Sequence, residues 1–380
     1  MAAKIRVGVI GVGFGSTHIP AFQAHDAYEV VAIAASRQER AQEAAQKYGI
    51  PNAVAGYEHL VKRADIDLVS IASAPQQHHP MAMAALKHGK HALVEIAFTR
   101  NLHEAEALAT AAERAGKIGA VDFELRFQAA RRYATDLIRA GYLGQVYLAR
   151  ADVLIGMLAD PRGFPHKWLS QRKAGGGMLA GFGSHYIDAL RLWCGEITDV
   201  DARLHIAVRE RFSPQAGQML PVDADDNAVV TLGFASGAIG VVTASGVARA
   251  GESRIELYGS QGTLVLKGFS GDLWGAKAGA RERPTGARGA SPGDGQRSGP
   301  QAGAQTLSKI EVPEHYTAAA QGKPGQQGMI LALLDELAGA IRAGHPAEGS
   351  LLPTFADGLA VQRVLDAAQR SADEGRRVSL

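Results

Sequence analysis

The run Val7-Gly8-Val9-Ile10-Gly11-Val12-Gly13-Phe14-Gly15-Ser16 is an apolar strand that ends in a glycine turn. Gly11 permits the tight turn, Gly13 lets backbone approach a pyrophosphate, and Ser16 is small enough for close helix packing. The helix that follows then offers free N–H groups and a positive dipole end to the phosphates. The pattern follows a strand and opens a helix, which is the context that gives it meaning. Gly11, Gly13, Phe14 and Gly15 are therefore expected to cradle a dinucleotide. The second strand ends in Ala34-Ala35-Ser36-Arg37, without the acidic residue that holds the ribose hydroxyls of NAD. The Ser36 hydroxyl and the Arg37 guanidinium, assisted by Arg40, suit a 2′-phosphate. This predicts NADP(H) in preference to NAD(H), with NAD(H) left open. Glu95 falls at the carboxyl end of a later strand, where open α/β sheets bind ligands. There it can touch the nicotinamide ribose or amide, or act as an acid whose pKa its surroundings raise.

Histidines recur along the chain, with His78-His79 adjacent and His88 and His91 close by, but no His-Glu-x-x-His or cysteine-rich spacing occurs. No metal is therefore expected, and His78 is expected to be exposed.

These residues need a wound sheet to hold them. Up to about residue 125, short apolar strands (Ile5 to Ile10, Val30 to Ala35, Leu68 to Ala72, Ala92 to Glu95, Ile118 to Asp122) alternate with helical stretches. That alternation predicts an α/β Rossmann domain with a doubly wound parallel sheet. Residues 126–380 change character. Strands over Gln145 to Val153, Arg203 to Val208, Val229 to Phe234, Ala238 to Ser245, Arg254 to Tyr258 and Thr263 to Leu266 predict an α+β domain with a large, mainly antiparallel sheet. A helix over Gly183 to Trp193 and two late helices, Met329 to Ala343 and Thr354 to Ala372, complete it; the late pair is allowed to pack back on the first domain. Ala276 to Ser308, rich in Gly, Ala, Arg, Pro and Ser, is expected to be a mobile loop.

Composition narrows the partners. The 380 residues carry 40 basic and 38 acidic side chains, a net charge of +2 with no basic block, so no nucleic-acid partner is expected. The longest uncharged run, Asn227 to Ala248, is broken by glycines and reads as a hairpin turning at Ala235-Ser236-Gly237, not as a membrane span. One cysteine, Cys194, rules out an internal disulfide. No apolar core with a cleavage site precedes the first strand, so a cytoplasmic rather than secreted protein is expected.

Several segments, in order, resemble the glucose-fructose oxidoreductase / inositol dehydrogenase / MocA family over nearly the whole chain. They are the glycine turn ending in His18; Ala74-Pro75-Gln76-Gln77-His78-His79, like the family's Pro-Asn-x-x-His; Gly89-Lys90-His91 before Glu95; Gly141-Tyr142-Leu143-Gly144-Gln145-Val146; and Gly175-Gly176-Gly177 through His185 and Asp188. The resemblance implies a Rossmann domain beside an antiparallel-sheet domain that often mediates oligomerisation, hence a homodimer or homotetramer. It places His79 near the nicotinamide and counts Ala74 and Pro75 among the cofactor-binding residues.

Two positions depart. The family's Glu-Lys-Pro reads Glu95-Ile96-Ala97, so Ile96 stands where the family has its proton-handling lysine. Gly181 stands where an aspartate is common. Hydride transfer needs a group to give or take the hydroxyl proton, and His185 is the residue left for it. Asp188, three residues on, shares its helix face and is expected to orient or charge it. Lys167 and Lys173 flank Trp168 and are candidates to replace the ammonium; Met157, Leu158, Phe164 and Trp168 suggest an apolar wall. The favoured function is an NAD(P)-dependent oxidoreductase acting on a hydroxyl or carbonyl of a small-molecule sugar, cyclitol or related ring. The alternatives are a redox-neutral lyase or glycosidase-like enzyme working by transient oxidation, and an inactive nucleotide-binding regulator.

Overall fold

The computed structural model describes residues 3–13, 15–268, 271–278, 306–318 and 325–380. Its first sheet is parallel and six-stranded, in the order β3-β2-β1-β4-β5-β6. The strands are β1 (Ile5–Ile10), β2 (Tyr28–Ala35), β3 (Asn52–Ala55), β4 (Leu68–Ile71), β5 (His91–Val94) and β6 (Gly119–Val121). The order reverses between β1 and β4, which opens a crevice at their carboxyl ends, where doubly wound sheets take ligands. Val7, Val9, Leu68, Val69, Leu93 and Val94 are buried, as strands covered on both faces must be.

One face is covered by the helix Gly15–Ala24 and by a helix from the far end of the chain, Gln326–Ala343. That late helix buries Ile330, Leu331, Leu334 and Leu337. Tyr28 Oη donates to Leu334 O at 2.8 Å, and His25 Nε2 lies 2.8 Å from Asp335. The other face is covered by the helices His78–Lys87 and Leu102–Ala115 and by the last long helix, Phe355–Glu374. A capping box starts this last helix: Asp357 N donates to Thr354, and Thr354 N donates to Asp357.

The second sheet has nine strands, in the order β16-β15-β14-β13-β7-β12-β11-β8-β17. They are β7 (Val146–Leu154), β8 (Ile197–His205), β11 (Asn227–Phe234), β12 (Ile239–Ser245), β13 (Arg254–Gly259), β14 (Gly262–Lys267), β15 (Asp272–Lys277), β16 (Ser308–Lys309) and β17 (Val378–Ser379); β9 (Glu210–Ser213) and β10 (Gln218–Pro221) form a separate hairpin. Every pairing is antiparallel except β7 with β12. The run Asn227 to Ala248 is the expected hairpin, turning at Gly237 with φ 83°. No helix among the described residues is long and apolar enough to cross a membrane.

Two expectations need correction. The strand placed at Arg203 to Val208 begins at Ile197 and ends at His205; Asp199, Asp201 and Arg203 disguise it, because they stand on the uncovered face while Val200 and Ala202 point inward. The stretch Ala276 to Ser308 is not wholly loop, since Ala276 and Lys277 end β15 and Ser308 starts β16; its residues 279–305 lie outside the described part.

Candidate active site

The glycine turn sits at the switch point of the wound sheet. Gly11 has φ 107°, and a Cβ there would lie 2.4 Å from Ala72 O, so only glycine fits between β1 and the end of β4. Gly13 is the opposite case: a Cβ would find nothing within 4 Å among the described residues beyond its chain neighbours, so the backbone there borders open space. A cavity of about 290 Å³ lies alongside, lined by Val12, Ser16, Arg40, Lys47 and Tyr48 among others. A tight turn beside an open cradle at a helix start is what a dinucleotide pyrophosphate needs, and the residues fit that group. Gly15 begins the helix and is buried; Phe14 lies outside the described residues. At the end of β2, Ser36, Arg37 and Arg40 are exposed, and the last strand residue is Ala35, with no carboxylate there.

Beneath the crevice lies a buried ionic group that the sequence reading missed. His18, on the first helix, is fully buried. Its Nδ1 lies 2.8 Å from Ser70 Oγ on β4, and its Nε2 lies 2.6 Å from Glu95 Oε1 and 3.0 Å from Asp122 Oδ2. Burial alone would lower the imidazole pKa, but hydrogen bonds and charge from Asp122 and Glu95 override it and raise it to about 10. His18 is thus an imidazolium clamped between two carboxylates at the ends of β5 and β6. Burial, and then Glu95, pushes Asp122 above the usual carboxylate range. Glu95 Oε2 accepts from Ile96 N at 3.0 Å, so both of its oxygens are engaged inside the fold. The next peptide, Ile96–Ala97, is cis. Ile96 itself is half-buried and packs against the apolar core.

His185 comes from the other domain. The triple glycine leads into a wide π turn, Leu179–Gly183, and then the helix Ser184–Cys194. Asp225 fixes that turn by accepting from Leu179 N at 2.9 Å. Gly177, with φ 116°, leaves no room for a Cβ, which would sit 2.1 Å from Asp225 Oδ1. The departure at Gly181 has a packing reason, since Leu169 and Trp168 fill its side-chain space, at 2.9 and 3.4 Å from a Cβ. The helix brings His185 edge-on to Phe123, with ring centroids 5.6 Å apart, and sets its Nδ1 3.8 Å from Glu124 Oε2. Phe123 and Glu124 directly follow β6 and Asp122, so His185 overhangs the carboxyl edge of the wound sheet. Burial, and then the Arg131 charge, lowers its pKa to about 4, leaving a neutral imidazole near pH 7.

The other candidates are dispersed. Asp188 is turned away from His185 and onto Arg126, in a bidentate pair of 2.6 and 2.5 Å. Arg126 also meets Asp357 at 3.2 Å, and Asp357 meets Arg191 at 2.9 Å, so Asp188 belongs to a largely buried network that ties the turn after β6 to the helices Ser184–Cys194 and Phe355–Glu374. Lys167 and Lys173 are both exposed. Pro75 is buried and Ala74 half-buried at the end of the loop after β4. The expectation that His78 is exposed is overturned. His78 is fully buried, its ring nitrogens 2.9 Å from Ala97 O and 3.1 Å from Ser73 O, because it bridges the loops after β4 and β5. His79 is the half-buried one, and burial, with Arg100 and His103, lowers its pKa against the opposing charge of Glu104.

Comparison with known proteins agrees with this geometry. Residues 5–123 match the model of an oxidoreductase family with an NAD-binding Rossmann fold, and residues 131–265 match the GFO/IDH/MocA C-terminal domain. An uncharacterized oxidoreductase of Synechocystis sp. is 35% identical over 266 residues, 69% of this chain and 71% of that protein. Levoglucosan dehydrogenase of Pseudarthrobacter phenanthrenivorans is 30% identical over 287 residues, covering 69% and 73%. A solved structure of levoglucosan dehydrogenase in complex with NADH and L-sorbose superposes with a TM-score of 0.86 at 26% identity, over 99% of this chain and 98% of that one. With an NAD-binding domain, a matched second domain and relatives named as oxidoreductases, the chain belongs to the GFO/IDH/MocA family of oxidoreductases.

Proposed function

We propose that the protein moves a hydride between a nicotinamide dinucleotide and a hydroxyl or carbonyl carbon of a sugar, cyclitol or related ring, with His185 handling the oxygen's proton. The observation that carries this reading is the overhang of His185, a residue of the second domain, above Phe123 and Glu124 at the ligand-binding edge of the first. Bound there, the nicotinamide supplies or accepts the hydride. The chain's own residues do the rest. Gly11 and Gly13 seat the pyrophosphate. The His18–Glu95–Asp122 group fixes the ends of β4, β5 and β6 at the floor of the crevice, with Glu95 as an anchor for the loop that carries Ile96. His185, neutral near pH 7, takes the hydroxyl proton on oxidation or returns it on reduction. Ser36 and Arg37 favour a 2′-phosphate over bare ribose hydroxyls, so NADP(H) is the preferred dinucleotide. The ring-sugar assignment draws on levoglucosan dehydrogenase, whose solved complex holds L-sorbose and NADH.

Ile96 supports a second reading, in which the ring carbon is oxidised only transiently and the hydride returns to the product. Incubating the protein with levoglucosan, L-sorbose and cyclitols, while following nicotinamide absorbance and product mass, separates the two. Net reduced or oxidised cofactor supports the oxidoreductase reading, and product without net cofactor change supports the redox-neutral one. Neither change with any ring substrate, in protein that binds the dinucleotide, counts against both.

The uncovered face of the second sheet completes the proposal. Leu148, Ile239 and Val229 share it, Leu148 and Ile239 lying side by side in register, and all three are exposed. We assign this face to contact with a second copy of the chain, giving a homodimer or homotetramer.

A further inference from the structure

The proton that His185 exchanges with substrate must come from somewhere, and Ile96 cannot hold it. His185 Nδ1 is buried and has no hydrogen-bond partner among the described residues. The nearest carboxyl oxygen given for it is Glu124 Oε2, at 3.8 Å. Glu124 is itself buried, and Gln326 donates to its other oxygen at 3.4 Å. Its surroundings are acidic, with Asp122 and Glu95 on the ends of β6 and β5, and His18 already committed to both. Arg131, from the following helix, brings a cation to this corner; its guanidinium lies over the Tyr186 ring at 5.0 Å and bears on both Glu124 and His185.

We propose that Glu124 is the proton partner of His185, passing a proton to and from Nδ1 while Nε2 faces the substrate oxygen, and so filling the role left vacant at Ile96. This rests on His185 being the acid/base, as argued above. Burial, and then Asp122 and Glu95, holds the Glu124 carboxyl well above the usual carboxylate range, so it keeps its proton where other glutamates have lost theirs. Neutral His185 then has its proton on Nε2 and a lone pair on Nδ1 toward that carboxyl. On reduction, the carbonyl carbon gains the hydride from a reduced nicotinamide, its oxygen takes the Nε2 proton, and Nδ1 takes the carboxyl proton, leaving Glu124 as carboxylate. Oxidation runs the same transfers backwards. The 3.8 Å separation closes by a small side-chain movement, as catalytic contacts commonly tighten once substrate binds. Glu124 is a positioning residue in this scheme, since it acts through His185.

The test uses the full chain saturated with NADPH or NADH and isotope-labelled histidine, with the His185 ring signals identified by their loss in His185→Gln. The wild type is expected to show Nε2–H as the main tautomer near pH 7, and a step in the His185 shifts as Glu124 ionises above the usual carboxylate range. Glu124→Gln, which keeps shape and hydrogen bonding but cannot pass a proton, is expected to lose that step, and Glu124→Asp to retain it. A wild type without the step, or a step that survives in Glu124→Gln, overturns the pairing. With a ring substrate that turns over, Glu124→Gln is expected to lose about 100-fold in kcat with KM and dinucleotide Kd unchanged. Full activity with an unaltered pH profile overturns the relay. If the wild type shows the Glu124 step and His185→Ala is nevertheless fully active, the acid/base assignment itself falls, and the two failures are thereby told apart.

Discussion

His18 Nε2 stands 2.6 Å from Glu95 Oε1 and 3.0 Å from Asp122 Oδ2, with no exposure to solvent. One helix thereby locks two strand ends, and a pH dependence follows. The imidazole pKa is raised from 6.5 to about 10 on folding, so its contribution to stability is full below pH 6.5 and is lost as pH rises through 10. Asp122, also raised, pushes in the same direction. Denaturant unfolding across that range should show stability falling with pH, and the slope should flatten in His18→Gln. The variant should also lose about 3–5 kcal/mol at neutral pH, because it leaves buried carboxylates without their cation. An unchanged slope would show that the imidazolium is not there.

Asp188 separates support from chemistry. Its carboxylate belongs to Arg126 rather than to His185. Asp188→Asn should cost about 3–5 kcal/mol of unfolding free energy, while the folded fraction keeps its pH–rate profile. A shifted profile with little stability loss would return Asp188 to the proton path.

Gly13→Ala tests where the dinucleotide lies. No described residue beyond its chain neighbours obstructs a methyl group there, so the melting transition should move by less than about 0.5 kcal/mol equivalent. Dinucleotide affinity, measured by calorimetry, should fall at least about tenfold, or ~1.4 kcal/mol. Unchanged affinity would mean that the pyrophosphate sits elsewhere.

Arg37→Ala addresses cofactor choice. Loss of one charge-assisted contact to a 2′-phosphate should weaken NADP(H) by about tenfold or more and leave NAD(H) nearly unaffected. Wild-type protein that binds NADH as tightly as NADPH would refute the preference.

Ile239→Glu places a charge on the uncovered sheet face beside Leu148. Sedimentation should show the wild type as a dimer or tetramer and the variant shifted toward monomer. A monomeric wild type at micromolar concentration would leave that face without its second copy.

The glycine turn, the alternation of strands and helices and the hairpin at Gly237 were legible because each is a local pattern. The short strands β3, β15 and β17 were not. They are four, six and two residues long, and their partners, not their own residues, make them strands. In the site, His185 could be found as a titratable residue on a recognisable helix. Asp188 was misleading because helical spacing brings side chains near each other without deciding which partner each prefers; Arg126, 62 residues away, takes this one. His18 and Asp122 went unread as a pair because only the strand order 1-4-5-6 brings the first helix over both strand ends. One signal was available, though: Glu95 and Asp122 each directly follow an apolar strand, and such buried acids need a cation.

The most direct measurement is a crystal structure of the protein with its nicotinamide dinucleotide. The pyrophosphate should lie over Gly11 and Gly13, with the nicotinamide C4 turned toward His185 across a gap that one hydroxyl-bearing carbon fills. A nicotinamide ring directed away from His185, or a dinucleotide bound outside the crevice between β1 and β4, would contradict the account.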